Sequence, residues 1–143
     1  MNADQSELLR ENRDKTRAAL RLIVASLDAY VPFDPAADLT PKALEPYDAL
    51  ADRFVRVVES ALRLFRGVEI HQFGVPADST RELLDRMEKL RWVSSADLWM
   101  AMRSIGNKIV HDYLPEQVAQ MFALITGPFA QELRALDDRL SAS

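Results

Sequence analysis

Between Leu50 and Phe65 the sequence "LADRFVRVVESALRLF" returns to an apolar residue every three or four positions: Leu50, Phe54, Val57, Val58, Ala61, Leu62 and Phe65. That spacing follows the 3.6-residue turn and lays one broad apolar face along a helix. A half-buried strand would alternate at every second residue, and no segment of this chain does so. A first helix is expected over roughly residues 5 to 29, with Leu9, Leu20, Ile23, Val24 and Leu27 as its apolar positions. The four prolines of "VPFDPAADLTPKALEP" mark a connection or irregular helix entry, with Thr40-Pro41 as a cap and first-turn pair. Pro46 is expected to delay the regular part of the second helix, which then runs to about Phe65 or slightly beyond.

The stretch "HQFGVPADST" breaks the pattern, and Ser79 or Asp78 can cap a third helix containing "RELLDRMEKLRW". Ser94 or Ser95 can cap a fourth, through about Tyr113. Pro115 then opens a fifth, with Val118, Phe122, Leu124 or Ile125, Phe129, Leu133 and Leu136 as its apolar residues. Gly127-Pro128 should kink or split it, because proline removes a donor and clashes with the preceding turn. Helices on short connectors predict an all-α fold, an antiparallel up-and-down bundle of four to five helices. At 143 residues, this is one domain spanning 1–143.

With no cysteine in the chain, disulfides and thiolate metal sites are excluded. No apolar run approaches the roughly 18 residues of a membrane span. The opening "MNADQSELLRENRD" is polar and of mixed charge, unlike a signal peptide. A cytoplasmic protein without membrane attachment is expected. Net charge is −4, yet residues 53 to 66 carry four arginines against one glutamate. That local excess suits a phosphate-bearing partner. The simpler expectation is a solvated face with Asp52–Arg56 and Glu59–Arg63 paired along the helix.

On a helical wheel, Leu98, Met102, Ile105 and Ile109 form the core sector of the fourth segment, flanked by Trp99, Gly106, Val110 and Tyr113. Arg103, Asn107 and His111 climb a strip nearly opposite. An imidazole can exchange a proton near neutral pH, an arginine can hold a phosphate and an asparagine can orient either. Metal-free RNA cleavage needs such a base for the ribose 2′-OH and a cation for the charge developing on phosphate. A solvated polar face would show the same spacing. Trp99 reads as a core anchor, and Asp112 as a partner for Lys108. His71 begins a loop and, with only Glu69 nearby, supports no zinc site. Neither a phosphate-cradling glycine loop nor a nucleophile elbow is present, so no cofactor is implied.

The stretch "LWMAMRSIGNKIVHDY" resembles the signature helix of the HEPN superfamily, in its HepT-like branch and the related substrate-binding partners of small nucleotidyltransferases. Trp99, Asn107, His111 and Tyr113 match that helix in order and spacing. The preceding "STRELLDRMEKLRWVSSAD" is similar to the family's short helix and serine connector. The resemblance covers Ser79 to about Pro115. It implies a homodimer whose motifs meet in a cleft, with an arginine and a histidine forming a metal-independent RNase site. It also implies that Tyr113 accepts AMP from a cognate MNT-type nucleotidyltransferase antitoxin. The charge and bulk of AMP would block an anionic substrate.

The chain departs from the family pattern at one position. Gly106 stands where the family places its arginine, and the nearest arginine is Arg103. The glycine points to close packing against a neighbouring backbone or to loss of the catalytic position. Two readings follow. In one, the chain is the toxin component of a toxin–antitoxin pair and cleaves RNA with His111 as base or acid, Arg103 on the phosphate and Asn107 orienting them. In the other, it is a catalytically degenerate helical module that binds a nucleotidyltransferase or nucleotide without cleaving RNA. A bundle of unrelated ancestry would instead be a monomer with His111 exposed and no shared cleft.

Overall fold

The computed structural model describes residues 3–111 and 113–142, which fold as an all-α bundle. The helices are α1 (Ala3–Asp28), α2 (Pro41–Phe73), α3 (Thr80–Lys89), α4 (Ala96–Ile109), α5 (Pro115–Leu124) and α6 (Ala130–Ser141). A π-helical turn, Ile125–Phe129, joins the last two into one bent unit.

The apolar stripe of α2 is the spine of the core. Phe54, Val57, Ala61 and Phe65 are fully buried. α1 runs antiparallel to it. Arg53 reaches the Leu22 carbonyl and Ser26 Oγ, Thr16 Oγ1 and Ser60 Oγ lie 3.0 Å apart, and Leu9 lies against Gly67. α4 also opposes α2, with Trp99 edge-on to Phe65 at 5.1 Å and Gly106 facing the Phe54 ring. α6 returns along α1, where Arg134 pairs with Asp28 and Arg13 donates to the Leu140 carbonyl. The fold is thus the antiparallel bundle that periodicity predicts.

The boundaries follow local chemistry. Thr40 caps α2, its Oγ1 accepting from the Ala43 N–H, with Pro41 in the first turn. Pro46 does not delay the helix. The donor it lacks would have met the carbonyl of Lys42, an exposed residue, so the loss falls at the solvated end of the helix. α2 also continues eight residues past Phe65, to Phe73, because Val68 and Glu69 are buried and keep its inner face occupied. Gly74, at φ +78°, ends it with its N–H on the Ile70 carbonyl. His71 therefore sits in the last helical turn, exposed, rather than at the start of a loop.

Ser79 caps α3, and Ser95 caps α4. α3 stops at Lys89, short of the Arg91-Trp92 included from sequence. Arg91 takes a left-handed conformation, φ +63°, and the Trp92 N–H returns to the Met87 carbonyl. That is the hydrogen-bond pattern usually closed by glycine. The Arg139 guanidinium covers the Trp92 ring at 4.0 Å and donates to the Arg91 carbonyl, holding the turn.

Gly127-Pro128 does bend the last unit. Gly127 leaves helical geometry at φ −103° and ψ −108°, as the residue before proline is disfavoured there. Ile125 rather than Leu124 faces the core.

Candidate functional site

α4 ends at Ile109, one turn earlier than the sequence pattern suggests. Nothing between Val110 and Leu114 is a helix breaker, so periodicity alone carries the pattern through. α5 then begins at Pro115, a residue suited to the first helical turn. The Gln117 side chain accepts from the Leu114 N–H there. The buried stripe of α4 is Trp99, Met102, Gly106 and Ile109, whereas Leu98 and Ile105 are only half-buried. Val110 and Tyr113, assigned to the core flank, lie beyond the helix with exposures of 60% and 39%.

This shift divides the candidate residues. Arg103 and Asn107 are exposed on α4 and line a small groove of about 190 Å³ with Gly106, Val58 and Glu59. His111 is exposed past the end of α4, its N–H on the Lys108 carbonyl. It lines a separate cleft of about 540 Å³ together with Tyr113. The three-residue strip is therefore interrupted: Arg103 and Asn107 share a groove, and His111 and Tyr113 share a cleft. A continuous helix would already place Arg103 and His111 about 12 Å apart along its axis. The proposed Asp112–Lys108 pair lies outside the described residues.

The cleft is built largely from distant sequence. Phe33 comes from the α1–α2 connection, Tyr47, Asp48 and Asp52 from the start of α2, and Val118 and Phe122 from α5. Phe33, Tyr47 and Phe122 form a three-ring wall with centroids 5.2 to 5.7 Å apart. Tyr47 Oη donates to the Val31 carbonyl, which pins the proline-rich connection against α2. Behind this wall, burial pushes the Tyr30 phenol above its ordinary range. The Phe33 N–H donated to its oxygen partly offsets the effect, and the neighbouring Tyr47 adds to it. Of the two carboxylates, Asp52 pairs with Arg56 Nε at 2.8 Å, while Asp48 makes no ion pair among the described residues. Among the described residues no lysine or arginine lines the cleft.

Sequence reasoning missed Asp48, Tyr47 and Phe33 as neighbours of His111. They stand some 60 to 80 residues away from it, and only the folded connection brings them there.

The arginine-rich stretch of α2 is mostly occupied by the fold. Arg53 holds α1, Arg66 donates to Glu69 and the Ala77 carbonyl, and Arg56 takes Asp52. Arg63 forms no ion pair with Glu59 among the described residues. Of the two pairs expected on a solvated face, Asp52–Arg56 forms, and the local arginine excess is largely taken up by contacts within the fold.

Gly106 is not crowded by a neighbouring backbone. A Cβ placed on it would meet only the Phe54 ring, at 3.7 Å, an ordinary contact. Trp99 is fully buried and donates its indole N–H to Glu132, which also accepts from the Ser94 N–H and hydroxyl. Among the described residues no group of three or more His, Cys, Asp or Glu side chains could hold a metal ion. No helix of the described residues is long and apolar enough to cross a membrane. Comparisons with protein-family models, with curated proteins and with solved structures gave no match.

Proposed function

We propose that this chain is a HepT-like HEPN protein that works in the cytoplasm with a small MNT-type nucleotidyltransferase, as the toxin component of a toxin–antitoxin pair. The observation that carries this reading is the α4–α5 loop, which presents Tyr113 and His111 exposed at one cleft. An accessible phenol there can act as an acceptor. Its oxygen attacks the α-phosphorus of ATP held by the nucleotidyltransferase, the bond to pyrophosphate breaks and the phenolic proton leaves. The product is a tyrosyl–AMP diester beside His111.

The test is direct. Purified chain is incubated with ATP, Mg²⁺ and the MNT-type enzyme, and the adduct is located by peptide mass spectrometry. One or more AMP groups on Tyr113, absent from Tyr113→Phe, are expected. An unmodified Tyr113, or AMP placed elsewhere, would remove the reading.

For one chain alone, the geometry favours the non-cleaving module. His111 shares its cleft with Asp48 and Asp52 and, among the described residues, with no lysine or arginine, and two carboxylates repel a phosphodiester. An RNase site needs the homodimer, with Arg103 of one protomer brought to His111 of the other. Val110, 60% exposed in the lining of the cleft, is apolar surface that either a second protomer or another partner would cover. Labelled RNA in EDTA distinguishes the two. Cleavage by wild type, lost in both His111→Ala and Arg103→Ala, establishes the RNase. No cleavage by folded, unmodified protein leaves the module that binds a nucleotidyltransferase or nucleotide.

A further inference from the structure

The 540 Å³ cleft has a chemistry of its own that neither Tyr113 nor His111 explains. Its inner wall is the Phe33–Tyr47–Phe122 cluster, its edge carries Asp48 and Asp52, and among the described residues no arginine or lysine lines it. Asp48 is exposed and has no ion pair among the described residues, and Asp52 is partly neutralised by Arg56. Aromatic faces and carboxylates together attract an organic cation, most of all a guanidinium, which can stack on a ring while its N–H groups meet a carboxylate. The rim is apolar at Val110, which is 60% exposed. A small cation would leave that rim in water. A protein segment with apolar residues flanking its cationic one would cover it.

We infer that this cleft is the receptor for an arginine or lysine side chain presented by an apolar segment of the protein partner. The inference rests on the proposed function in one respect, that the partner is the nucleotidyltransferase. Docking there would hold the partner against the α4–α5 loop and present Tyr113 to it. The basic side chain would also neutralise Asp48, the carboxylate that otherwise repels the triphosphate of incoming ATP.

The experiment titrates isotope-labelled full-length chain with two blocked peptides, one with arginine between leucines and the other with neutral citrulline in its place. Amide shifts at Asp48, Ala51, Val110 and Tyr113 are followed by NMR. The arginine peptide should move these resonances and bind about tenfold more tightly than the citrulline peptide, a preference that raised salt and Asp48→Asn should erase. Equal binding of the two peptides, no binding, or shifts confined to another face would overturn the inference. So would the same resonances moving with protein concentration alone, which would make a second copy the occupant. Failure here leaves AMP transfer to Tyr113 standing. Conversely, an arginine-selective cleft without AMP transfer would keep this site and remove the proposed function.

Discussion

At its C-terminal end α2 buries Glu69 completely, with Arg66 Nη1 at 3.2 Å and Arg86 Nη1 at 3.0 Å on its two oxygens. At its N-terminal end, Asp48 stands exposed at an aromatic-walled cleft with no ion pair among the described residues. Arg86 also donates to the Val75 carbonyl and lies over Phe73 at 4.7 Å, so the first corner ties the α2–α3 connection to α3. At the second corner Tyr47 Oη holds the α1–α2 connection through the Val31 carbonyl, but among the described residues no ion pair takes Asp48, and Val110 stays exposed. A corner whose charges are fully paired has its role inside the fold. One that keeps a carboxylate and apolar surface uncovered departs from what stability alone would select, and such departures cluster at functional sites.

The largest expected effect tests the closed corner. Glu69→Ala leaves two guanidinium groups without their shared partner, and breaking a buried pair from one side costs about 3 to 5 kcal/mol. Arg86 and Arg66 keep side-chain exposures of 20% and 39%, so water recovers part of this, and the lower figure of about 3 kcal/mol is expected. Urea unfolding followed by circular dichroism would read it as a lower midpoint at unchanged slope. A loss below about 1 kcal/mol would mean that Glu69 is not the tie it resembles, and the contrast between the corners would fail.

What the sequence made legible divides along the same line. The bundle, the caps at Thr40, Ser79 and Ser95, the burial of Trp99 and the bend at Gly127-Pro128 all come from local signals: periodicity, a capping oxygen, a missing donor. Glu69 was not legible as a buried residue, because its pairing with Arg86 joins two helices 17 positions apart. The cleft was illegible for the same reason. Its aromatic wall and Asp48 reach the α4–α5 loop only through tertiary packing, and the end of α4 carries no breaker to mark it. His111, Asn107, Arg103 and Tyr113 were legible as polar or terminal residues, yet their division between two hollows depends on where α4 stops.

A smaller effect, of opposite sign, bears on the groove between the two corners. Gly106→Ala should stabilise the protein by about 0.5 to 1 kcal/mol, since the unfolded chain loses freedom and a helix interior prefers alanine. The structure has room for the methyl group beside Phe54. A higher melting temperature is the expected result. Destabilisation would instead reveal a closer approach of α2 and α4 and would narrow the groove that holds Arg103 and Asn107.

The aromatic wall of the open corner gives an alkaline signature. Burial raises the Tyr30 phenol above its ordinary value of about 10 in the folded state, which therefore holds its proton more tightly than the unfolded chain does. The associated stability is fully present below about pH 10 and is lost as pH rises through the raised value. Tyr30→Phe also removes the acceptor of the Phe33 N–H, so its absolute stability is expected to fall. The slope is the informative quantity. Between about pH 9 and 11, the variant's unfolding midpoint should decline less steeply than that of wild type. Parallel slopes would mean that the wall is open to solvent around Tyr30.

The smallest expected effect sharpens the contrast most. Asp48→Asn removes a charge with no ion pair among the described residues at an exposed position, so the urea midpoint should stay within about 0.5 kcal/mol of wild type. Removing one of two neighbouring carboxylates relieves repulsion with Asp52 and favours a slight gain rather than a loss. A drop of more than about 1 kcal/mol would place Asp48 among the interactions that hold the fold. A null result, set beside the large loss at Glu69, would leave Asp48 with no structural duty, and its charge would then matter only to what enters the cleft.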